Sequence, residues 1–365
     1  MRTSVALTVC AFVLPILLGA CSPPGPGAGQ DSASKLGDTA RAGSVKPGAL
    51  DGVTLTFTSW GGESQQAQMK VLEGFTEASG ATIVEDGPTN YAKLQAQVEN
   101  NQVTWDVVTV DSVWAAGHCD LLLAPDESII DGSEFTDGLT LGDCGVPADI
   151  YGNVLAFDRG AFAEAPTRWA DFFDTQAFPG KRAVSATNPT GTLEAALLAD
   201  GVKPDDLYPL DVERALDKLD TIRDDLVFWS SGAEQEQIMG SGQAAMGIFW
   251  SGRVGFSNKA GSDWGTVKTQ PINATSWFVV PKGARDPAAA MALINYWLGA
   301  EQGAEYAELT SYETGNRNAD PDLDAFARDV QVTSSDYSDQ VWIDEDFWAA
   351  NLGTLTDRWI DWTNG

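Results

Sequence analysis

The chain has 365 residues, a formal net charge of −30, and ample core material in its 13 Trp and 15 Phe. This charge argues against nucleic acid as a partner, because phosphate binding needs a clustered Lys/Arg surface that releases counterions. The same charge could attract cationic ligands, but a solvated surface kept soluble by self-repulsion is the preferred interpretation.

The first residues have the pattern of a secretory signal that ends at a cysteine. Arg2 precedes an apolar run over residues 5–18, which is too short to span roughly 30 Å of hydrocarbon as a stable helix. The tetrapeptide LGAC that ends at Cys21 resembles the bacterial lipobox, in which cleavage before the cysteine leaves its thiol diacylated. We predict a signal peptide over residues 1–20 and lipidation of Cys21, with plain cleavage as the alternative. The protein is then extracytoplasmic and touches the cell membrane through its lipid alone.

The segment after the signal is composed mainly of Pro, Gly, Ala and Ser. Residues 22–50 contain almost no large apolar side chain and cannot bury enough surface to offset their ordering entropy. We therefore predict a lipidated N-terminus and disordered tether over residues 21–50. The folded part begins near Asp51 and runs to Gly365, a length that usually forms two domains.

Two cysteines, Cys119 and Cys144, remain beyond the signal and the lipobox. Thiols oxidise in an exported chain, so we predict a disulfide between them. The closed loop would stabilise the fold by roughly 3 kcal/mol in the chain-entropy model. A catalytic Cys/His pair with His118 is the alternative, but adjacent residues rarely face each other and no third orienting group is indicated.

The first half of the folded part has the pattern βαβαβ. Strand patterns cover residues 53–58, 82–84 and 106–110, and apolar residues at helical spacing cover residues 69–75 and 91–98. Such alternation builds a parallel sheet with right-handed crossovers, in which ligands bind beyond the carboxyl ends of the strands. Segments 60–62 and 111–114 follow the first and third strands and are the first places to look for a site.

A second α/β region follows. Strand patterns lie at 154–157, 183–185, 245–249 and 278–280, with helices around 169–173, 193–198, 212–222, 233–239, 286–298 and 301–309 and two aromatic-rich helices near 347–360. Segment 188–192 can cap the helix behind it, so its free backbone amides would point beyond the strand that ends at Ser185. The strand at 245–249 delivers Trp250. We predict two α/β lobes with a cleft between them.

Common catalytic and metal motifs are missing from the sequence. It contains a single His and no HExxH, G-x-S-x-G, GxxxxGK[ST] or GxGxxG motif. We therefore predict no catalytic residue, no metal and no cofactor. A secreted hydrolase that uses two carboxylates remains an alternative, since that chemistry has no compact signature, and so does a surface protein without a transport role.

Six motifs in order carry a family resemblance over residues 53–362. They are TFTSWGG, WDVVTVDSVW, GHCDLLLAPDESI, WADFFDTQAFPGKRA, GQAAMGIFWSGR and INYWLGAEQGAEYAELTSYETGN. In this order they resemble the spermidine/putrescine-binding family of ABC-importer receptors.

This resemblance implies a two-lobed periplasmic-binding-protein fold, type II-like, that closes over its ligand on a hinge. The implied crossings assign residues 51–149 plus 276–312 to lobe 1 and residues 150–275 plus 313–365 to lobe 2. The implied function is that of a monomeric receptor that captures a polyamine or polyamine-like small molecule and docks on an ABC-importer permease. In that family, aromatic rings box the ligand and carboxylates hold its amino groups, which suits the chemistry of ammonium groups.

The family's ligand contacts carry over by position in the motifs. Trp60 follows the first strand, Ser112 and Trp114 follow the third, and Trp250 ends the GMxxW-like strand. The candidate ligand contacts are Trp60, Ser112, Trp114, Asn188, Trp250, Arg253, Ser276 and Tyr312.

Several of these positions depart from the polyamine receptors. Ser276 stands where those receptors carry an acid, and Asn188 lies where acids follow the second-lobe strand, with Glu194 as the nearest carboxylate. We therefore expect two or three ammonium anchors to be missing. Arg253 either faces the cleft, where it would suit a planar carboxylate, or pairs with a surface acid. The substitutions favour a ligand with fewer amino groups than spermidine, such as an amine that also bears a carboxylate.

Overall fold

The structure, a computed structural model, describes residues 28–37 and 41–365. The predicted signal peptide and Cys21 lie outside these residues. In the described part of the chain, no helix is both long enough and apolar enough to cross a membrane.

Ten strands in the described ranges form one sheet with the order β2-β1-β3-β9-β4-β7-β5-β6, to which β10 adds beside β9 and β8 beside β4. The strands are β1 (Thr54–Thr58), β2 (Thr82–Asp86), β3 (Val107–Asp111), β4 (Val146–Asp158), β5 (Arg182–Ser185), β6 (Leu226–Trp229), β7 (Met246–Trp250), β8 (Trp264–Thr266), β9 (Ile272–Val279) and β10 (Val341–Trp342).

Helices cover both faces of the sheet. They are α1 (Ala28–Leu36), α2 (Gly62–Ser79), α3 (Tyr91–Glu99), α4 (Ser112–Gly117), α5 (Trp169–Phe173), α6 (Thr192–Ala199), α7 (Val212–Asp220), α8 (Gly232–Ser241), α9 (Ser251–Lys259), α10 (Pro287–Trp297), α11 (Ala300–Thr310), α12 (Ala325–Asp329) and α13 (Glu345–Asn364). Single 3-10 turns lie at Pro204–Asp206 and Arg223–Asp225.

The first βα unit shows why the sequence forms these elements. Along β1, Leu55 and Phe57 alternate with threonines and are fully buried, as a half-buried strand requires. In α2, Leu72 and Phe75 recur at helical spacing and are also fully buried. Gly80 then adopts the left-handed conformation and ends α2.

The antiparallel pair β4 and β9 joins two parallel half-sheets. Strands β1, β2 and β3 pair in parallel, and so do β5, β6 and β7. Strand β9 pairs with β3 through residues 276–279, and β4 pairs with β7 through residues 153–157. This confirms the predicted α/β class and two-lobed fold, with the two half-sheets continuous through the crossing strands.

The crossing strands are longer than their sequence patterns indicated. Strand β4 has 13 residues, whereas the pattern predicted a strand only over residues 154–157. The missed part includes Asp149, Gly152 and Asn153, whose polar or small side chains interrupt the apolar alternation although Asp149 and Asn153 are both buried. These residues therefore form buried polar positions where the chain passes between the half-sheets.

The prediction of a disordered tether up to residue 50 is wrong for residues 41–50. The side-chain amide of Asn295 donates to the carbonyl oxygens of Arg41 (2.8 Å) and Ser44 (3.1 Å), and Leu50 is fully buried. Gly43 donates its amide to the carbonyl of Asn295 at 2.9 Å. Hydrogen bonds between Asn295 and the backbone of residues 41–44 thus stabilise this segment, although its composition does not favour a packed structure.

Residues 28–37 also have regular structure within the predicted tether. Helix α1 packs against α10, and the buried hydroxyl of Ser32 donates to Asp286 at 2.5 Å. Asp286 also accepts from the amide of Ala289 and so caps α10. The docked helix therefore contacts the capped end of α10.

The predicted disulfide between Cys119 and Cys144 is present, with the two Cα atoms 5.3 Å apart. It ties the residues just after α4 to the segment that leads into β4. His118 stacks on Trp114 and hydrogen-bonds through Nδ1 to the Trp114 carbonyl oxygen at 2.8 Å. The alternative of a catalytic Cys/His pair is therefore wrong, since this thiol is bonded to sulfur.

Replacing both disulfide cysteines by serine should lower the free energy of unfolding by about 3 kcal/mol, because the unfolded chain regains the entropy of a loop 25 residues long. Urea unfolding of the oxidised protein and of the double variant measures this difference. Reduction of the wild-type protein should reproduce it, and an unchanged unfolding midpoint after verified reduction would contradict it.

Candidate ligand-binding cleft

A chain of ring and carboxylate contacts runs from the end of β1 to the end of β7. The Trp60 ring meets the Tyr91 ring edge-on, with centroids 6.3 Å apart. The hydroxyls of Tyr91 and Tyr151 donate to the two oxygens of Asp111 at 2.8 and 3.3 Å. The Tyr151 ring then meets the Trp250 ring edge-on at 6.4 Å. The two tryptophans predicted at strand ends in separate lobes are thus linked through one carboxylate.

Two carboxylates flank Ser276, the half-buried Asp111 and the buried Asp149. Ser276 lies opposite Asp111 in the β3/β9 register and opposite Asp149 in the β4/β9 register. Burial raises the pKa of Asp149 to about 6, although hydrogen bonds from Ser276 and Tyr306 favour its ionised form. Burial also raises the pKa of Asp111, against hydrogen bonds from its two tyrosines.

The expectation that two or three ammonium anchors are missing stays a prediction, although these two carboxylates lie beside Ser276. Neither Asp111 nor Asp149 was predicted from the sequence as a ligand contact, although residues 111–114 were indicated as a place to look for a site. Each follows a buried β residue, Val110 or Ala148. An acidic residue directly after a buried strand residue is a signal that the sequence offers. The chain has 52 acidic residues, however, so this signal is weak unless the pairing of the strands is known.

Trp114 and Ser112 are buried next to Tyr91 and Asp111. The Trp114 ring stacks on Tyr91 at 4.5 Å and on His118 at 4.4 Å, and only 5% of the residue is exposed. Both of its faces are therefore covered, and the ring supports Tyr91. Ser112 is buried as the first residue of α4, directly after Asp111.

Arg253 provides a buried positive charge on the second lobe. Only 5% of the residue is exposed, and Nη1 donates to Glu236 at 2.8 Å, while Nε has no partner among the described residues. Gly232 leaves room for the guanidinium, since a Cβ there would lie 2.5 Å from Nε. The alternative of an exposed arginine is therefore wrong, although Arg253 does pair with an acid.

Two buried tyrosines lie between the acidic and the basic groups. The Tyr306 hydroxyl donates to Asp149 at 3.3 Å, and the charge of Arg253 lowers the pKa of Tyr306 while burial raises it well above its usual value. Burial likewise raises the pKa of Tyr312 to about 12, against the opposing effect of Arg253. Both hydroxyls therefore stay protonated at neutral pH.

Three buried N–H donors without an acceptor surround Trp250. Among the described residues, Arg253 Nε, Trp229 Nε1 and Gln235 Nε2 have no hydrogen-bond partner. The Trp229 and Trp250 rings lie 5.2 Å apart, and the Trp250 amide donates to the side-chain oxygen of Gln235 at 3.0 Å. A buried donor left unpaired costs about 1–3 kcal/mol, so this cluster is suited to an oxygen-bearing ligand or to ordered water.

The turn after β5 does not offer the free amides that the sequence predicted. The amide of Thr190 donates to the Asn188 side chain at 3.0 Å, and the amide of Gly191 donates to Glu194 at 2.7 Å. The amide of Thr192 bonds to the Pro189 carbonyl oxygen. The prediction of free amides is therefore wrong at these three positions, because local acceptors saturate them.

A two-lobed α/β fold with acidic groups on its central strands and a buried arginine is typical of the class of proteins that bind a small molecule between two lobes. The chain belongs to the bacterial extracellular solute-binding proteins, whose family model matches residues 70–334. It is thus an extracytoplasmic solute-binding protein of an ABC importer, in a family of transport proteins that bind substrates.

Individual relatives span nearly the same length. The chain is 31% identical over 320 residues to the gamma-aminobutyric acid-binding protein of Pseudomonas aeruginosa, covering 85% of this chain and 90% of that protein. The solved Atu4243 GABA receptor is 38% identical with a TM-score of 0.79, covering 85% of this chain and 97% of that one. AgtB of A. tumefaciens R10, solved in complex with agropinic acid, is 31% identical with a TM-score of 0.78, covering 86% and 99%.

The predicted resemblance to polyamine receptors is also confirmed at lower identity. The spermidine/putrescine-binding periplasmic protein 1 of Haemophilus influenzae is 24% identical over 265 residues, covering 68% of this chain and 72% of that protein.

Removing the Asp149 carboxylate should change how stability depends on pH. A pKa raised from 3.8 to about 6 means that the folded state binds the proton more tightly, so Asp149 favours folding at low pH and loses this contribution as pH rises through 6. Asp149→Asn should therefore reduce the drop in melting temperature of the ligand-free protein between pH 5 and pH 7.5. Melting curves of both proteins at the two pH values measure it.

Asp200→Asn is the matched control. Arg214 lowers the pKa of the exposed Asp200, so its contribution is lost only as pH falls and the drop above pH 5 should persist. A drop that stays unchanged in Asp149→Asn would contradict the assignment.

Proposed function

We propose that this receptor captures a small molecule with an ammonium group at one end and a carboxylate at the other. The observation that carries this proposal is the separation of charged groups, with the half-buried Asp111 and the buried Asp149 beside Ser276 and with the buried Arg253 three residues after Trp250. We also propose that lipidation of Cys21 holds the protein to the membrane, and that the protein acts as a monomer.

The two groups of charges suit the two ends of such a ligand. Asp111 and Asp149 can accept from an ammonium group, and a cation between them would favour their ionised forms. Arg253, with the unpaired N–H groups of Trp229 and Gln235, can donate to a carboxylate. The rings of Tyr151 and Trp250 connect the two regions and can pack against an aliphatic chain.

The buried guanidinium disfavours a polyamine. A second ammonium group near Arg253 would meet a guanidinium and unpaired N–H donors, while Glu236 is already paired with Arg253, and this costs binding free energy. The relatives point the same way, because those named for gamma-aminobutyric acid and agropinic acid are 31–38% identical, whereas the polyamine receptor is 24% identical.

Closure of the lobes follows from the crossing strands. We propose that lobe 1 (51–149 plus 276–312) and lobe 2 (150–275 plus 313–365) rock about β4 and β9. A ligand that contacts Asp111 and Ser276 on one side and Trp250 and Arg253 on the other favours the closed state. Trp60, Asn188 and Tyr312 complete the proposed contacts, and the closed form docks on the permease.

Three ligands with four-carbon backbones test the charge assignment. We expect 4-aminobutyrate to raise the melting temperature in proportion to RT ln(1 + [L]/Kd), and putrescine and succinate to raise it much less. Thermal shift followed by isothermal titration measures the effect. Tight binding of putrescine or succinate without binding of 4-aminobutyrate would overturn the proposal, and mass analysis of recovered ligand would reveal hydrolysis.

Arg253→Met should weaken binding of 4-aminobutyrate by about tenfold or more, because a hydrogen bond to a charged group contributes about 1.5–3 kcal/mol. The affinity for putrescine should not fall, since the repelling charge is gone. Titration calorimetry of both ligands measures this, with Arg159→Met as the control because Arg159 pairs on the surface with Asp263 and Asp329. Equal losses for both ligands would place Arg253 outside the site.

A further inference from the structure

The C-terminal helix α13 contacts elements of both lobes. On the second lobe, Trp359 Nε1 donates to the carbonyl oxygen of Ser185, at the end of β5, at 3.2 Å. On the first lobe, α13 packs on α4 so closely that a Cβ at Gly117 would lie 3.0 Å from the carbonyl oxygen of Ala349. Helix α4 begins at Ser112, directly after Asp111 of the acidic pair.

The same helix holds the buried carboxylate of Glu194. Trp348 is fully buried, and its Nε1 donates to Glu194 Oε1 at 2.7 Å, next to a second bond of 2.8 Å from the Tyr208 hydroxyl. The other oxygen of Glu194 accepts the amide of Gly191 at 2.7 Å. Glu194 is therefore occupied within the protein and has no role as an ammonium anchor.

The turn that Glu194 holds is tightly packed against the crossing strand. Gly191 has a φ of +83°, and a Cβ there would lie 2.4 Å from Cγ of Asn153. Asn153 lies opposite Trp250 in the β4/β7 register. The hydroxyl of Thr190, in the same turn, is buried and has no partner among the described residues. A shift of this turn would therefore move groups beside Trp250.

We propose that Trp348 is a positioning residue for ligand binding, which acts through Glu194 on the turn at residues 188–191. Helix α13, resting on α4 at Gly117, presents the Trp348 indole N–H to Glu194, and Glu194 fixes the Gly191 amide against Asn153. The packing of α13 on α4, a helix of the first lobe, thereby sets the position of the turn at residues 188–191 on the second lobe. The link to ligand affinity rests on the proposed function, whereas the link to the turn does not.

Amide hydrogen exchange in the ligand-free protein tests the positioning itself. Trp348→Phe keeps an aromatic ring at this position and removes the N–H. Exchange in a peptide covering residues 188–192 should then become about tenfold faster, because the Glu194 carboxylate loses a hydrogen bond. Glu194→Gln should also speed this exchange, because Gln keeps one acceptor oxygen. The two donors Trp348 and Tyr208 favour placing that oxygen toward them, which turns the amide nitrogen, a non-acceptor, toward Gly191. Trp264→Phe is the control, since its buried Nε1 donates to the Met239 carbonyl oxygen instead. Unchanged exchange in both variants would overturn the proposal.

A wedge at the α4 contact tests whether α13 carries the effect. Gly117→Ala should speed exchange at residues 188–192 in the wild-type background and much less in the Trp348→Phe background, because both changes act on one hydrogen bond. Gly117→Ala should also move the Trp348 indole N–H resonance upfield. That resonance is assigned by its absence from the spectrum of Trp348→Phe. Additive effects, or a resonance that does not move, would show that α4 does not act through Trp348.

Binding of 4-aminobutyrate tests the consequence for capture. Trp348→Phe should weaken this affinity about tenfold, with little change from Trp264→Phe at a similar melting temperature. Faster exchange with unchanged affinity would confine Trp348 to local stability and overturn its role in binding. If wild-type protein does not bind 4-aminobutyrate, the proposed ligand fails, and the exchange experiments still decide whether Trp348 positions the turn.

Discussion

The pairing of β4 with β9 is the constraint on which the rest of the structure depends. It joins the two parallel half-sheets, and it brings Asp149 and Ser276 into register beside Asp111 of β3. Carboxylates buried in this way carry a desolvation cost, which the hydroxyls of three tyrosines and one serine partly offset. The two carboxylates therefore lie beside β9, one of the two strands that join the half-sheets.

The buried ionisable groups are arranged by sign, which is informative in so acidic a protein. Most of its carboxylates can remain solvated, so burial of Asp149 and half-burial of Asp111 need a specific reason. Arg253 is as buried as Asp149, and it pairs with Glu236. Under the proposed function, a ligand ammonium group supplies Asp111 and Asp149 with a positive charge that their hydroxyl partners do not, and this gain favours the closed state.

A further buried carboxylate, Glu194, is held by the C-terminal helix. Helix α13 carries Trp348 to the buried Glu194, a carboxylate whose partners all lie within the protein. Glu194, the carboxylate nearest to Asn188 in the sequence, is thus held by internal hydrogen bonds. The acids beside Ser276 are Asp111 of β3 and Asp149 of β4, because strand register and not proximity to a motif decides which carboxylates meet there.

The sequence alone determined the α/β class, the two lobes, the disulfide and the placement of Trp60 and Trp250 at strand ends. Those features follow from local periodicity, from the number of cysteines and from the order of the motifs. Only the tertiary structure decided which acids face Ser276, that Arg253 is buried, and that residues 41–50 are packed. Each of these depends on a partner distant in the chain, such as Asn295 for Arg41 or β9 for Asp149, and no local pattern encodes such a partner.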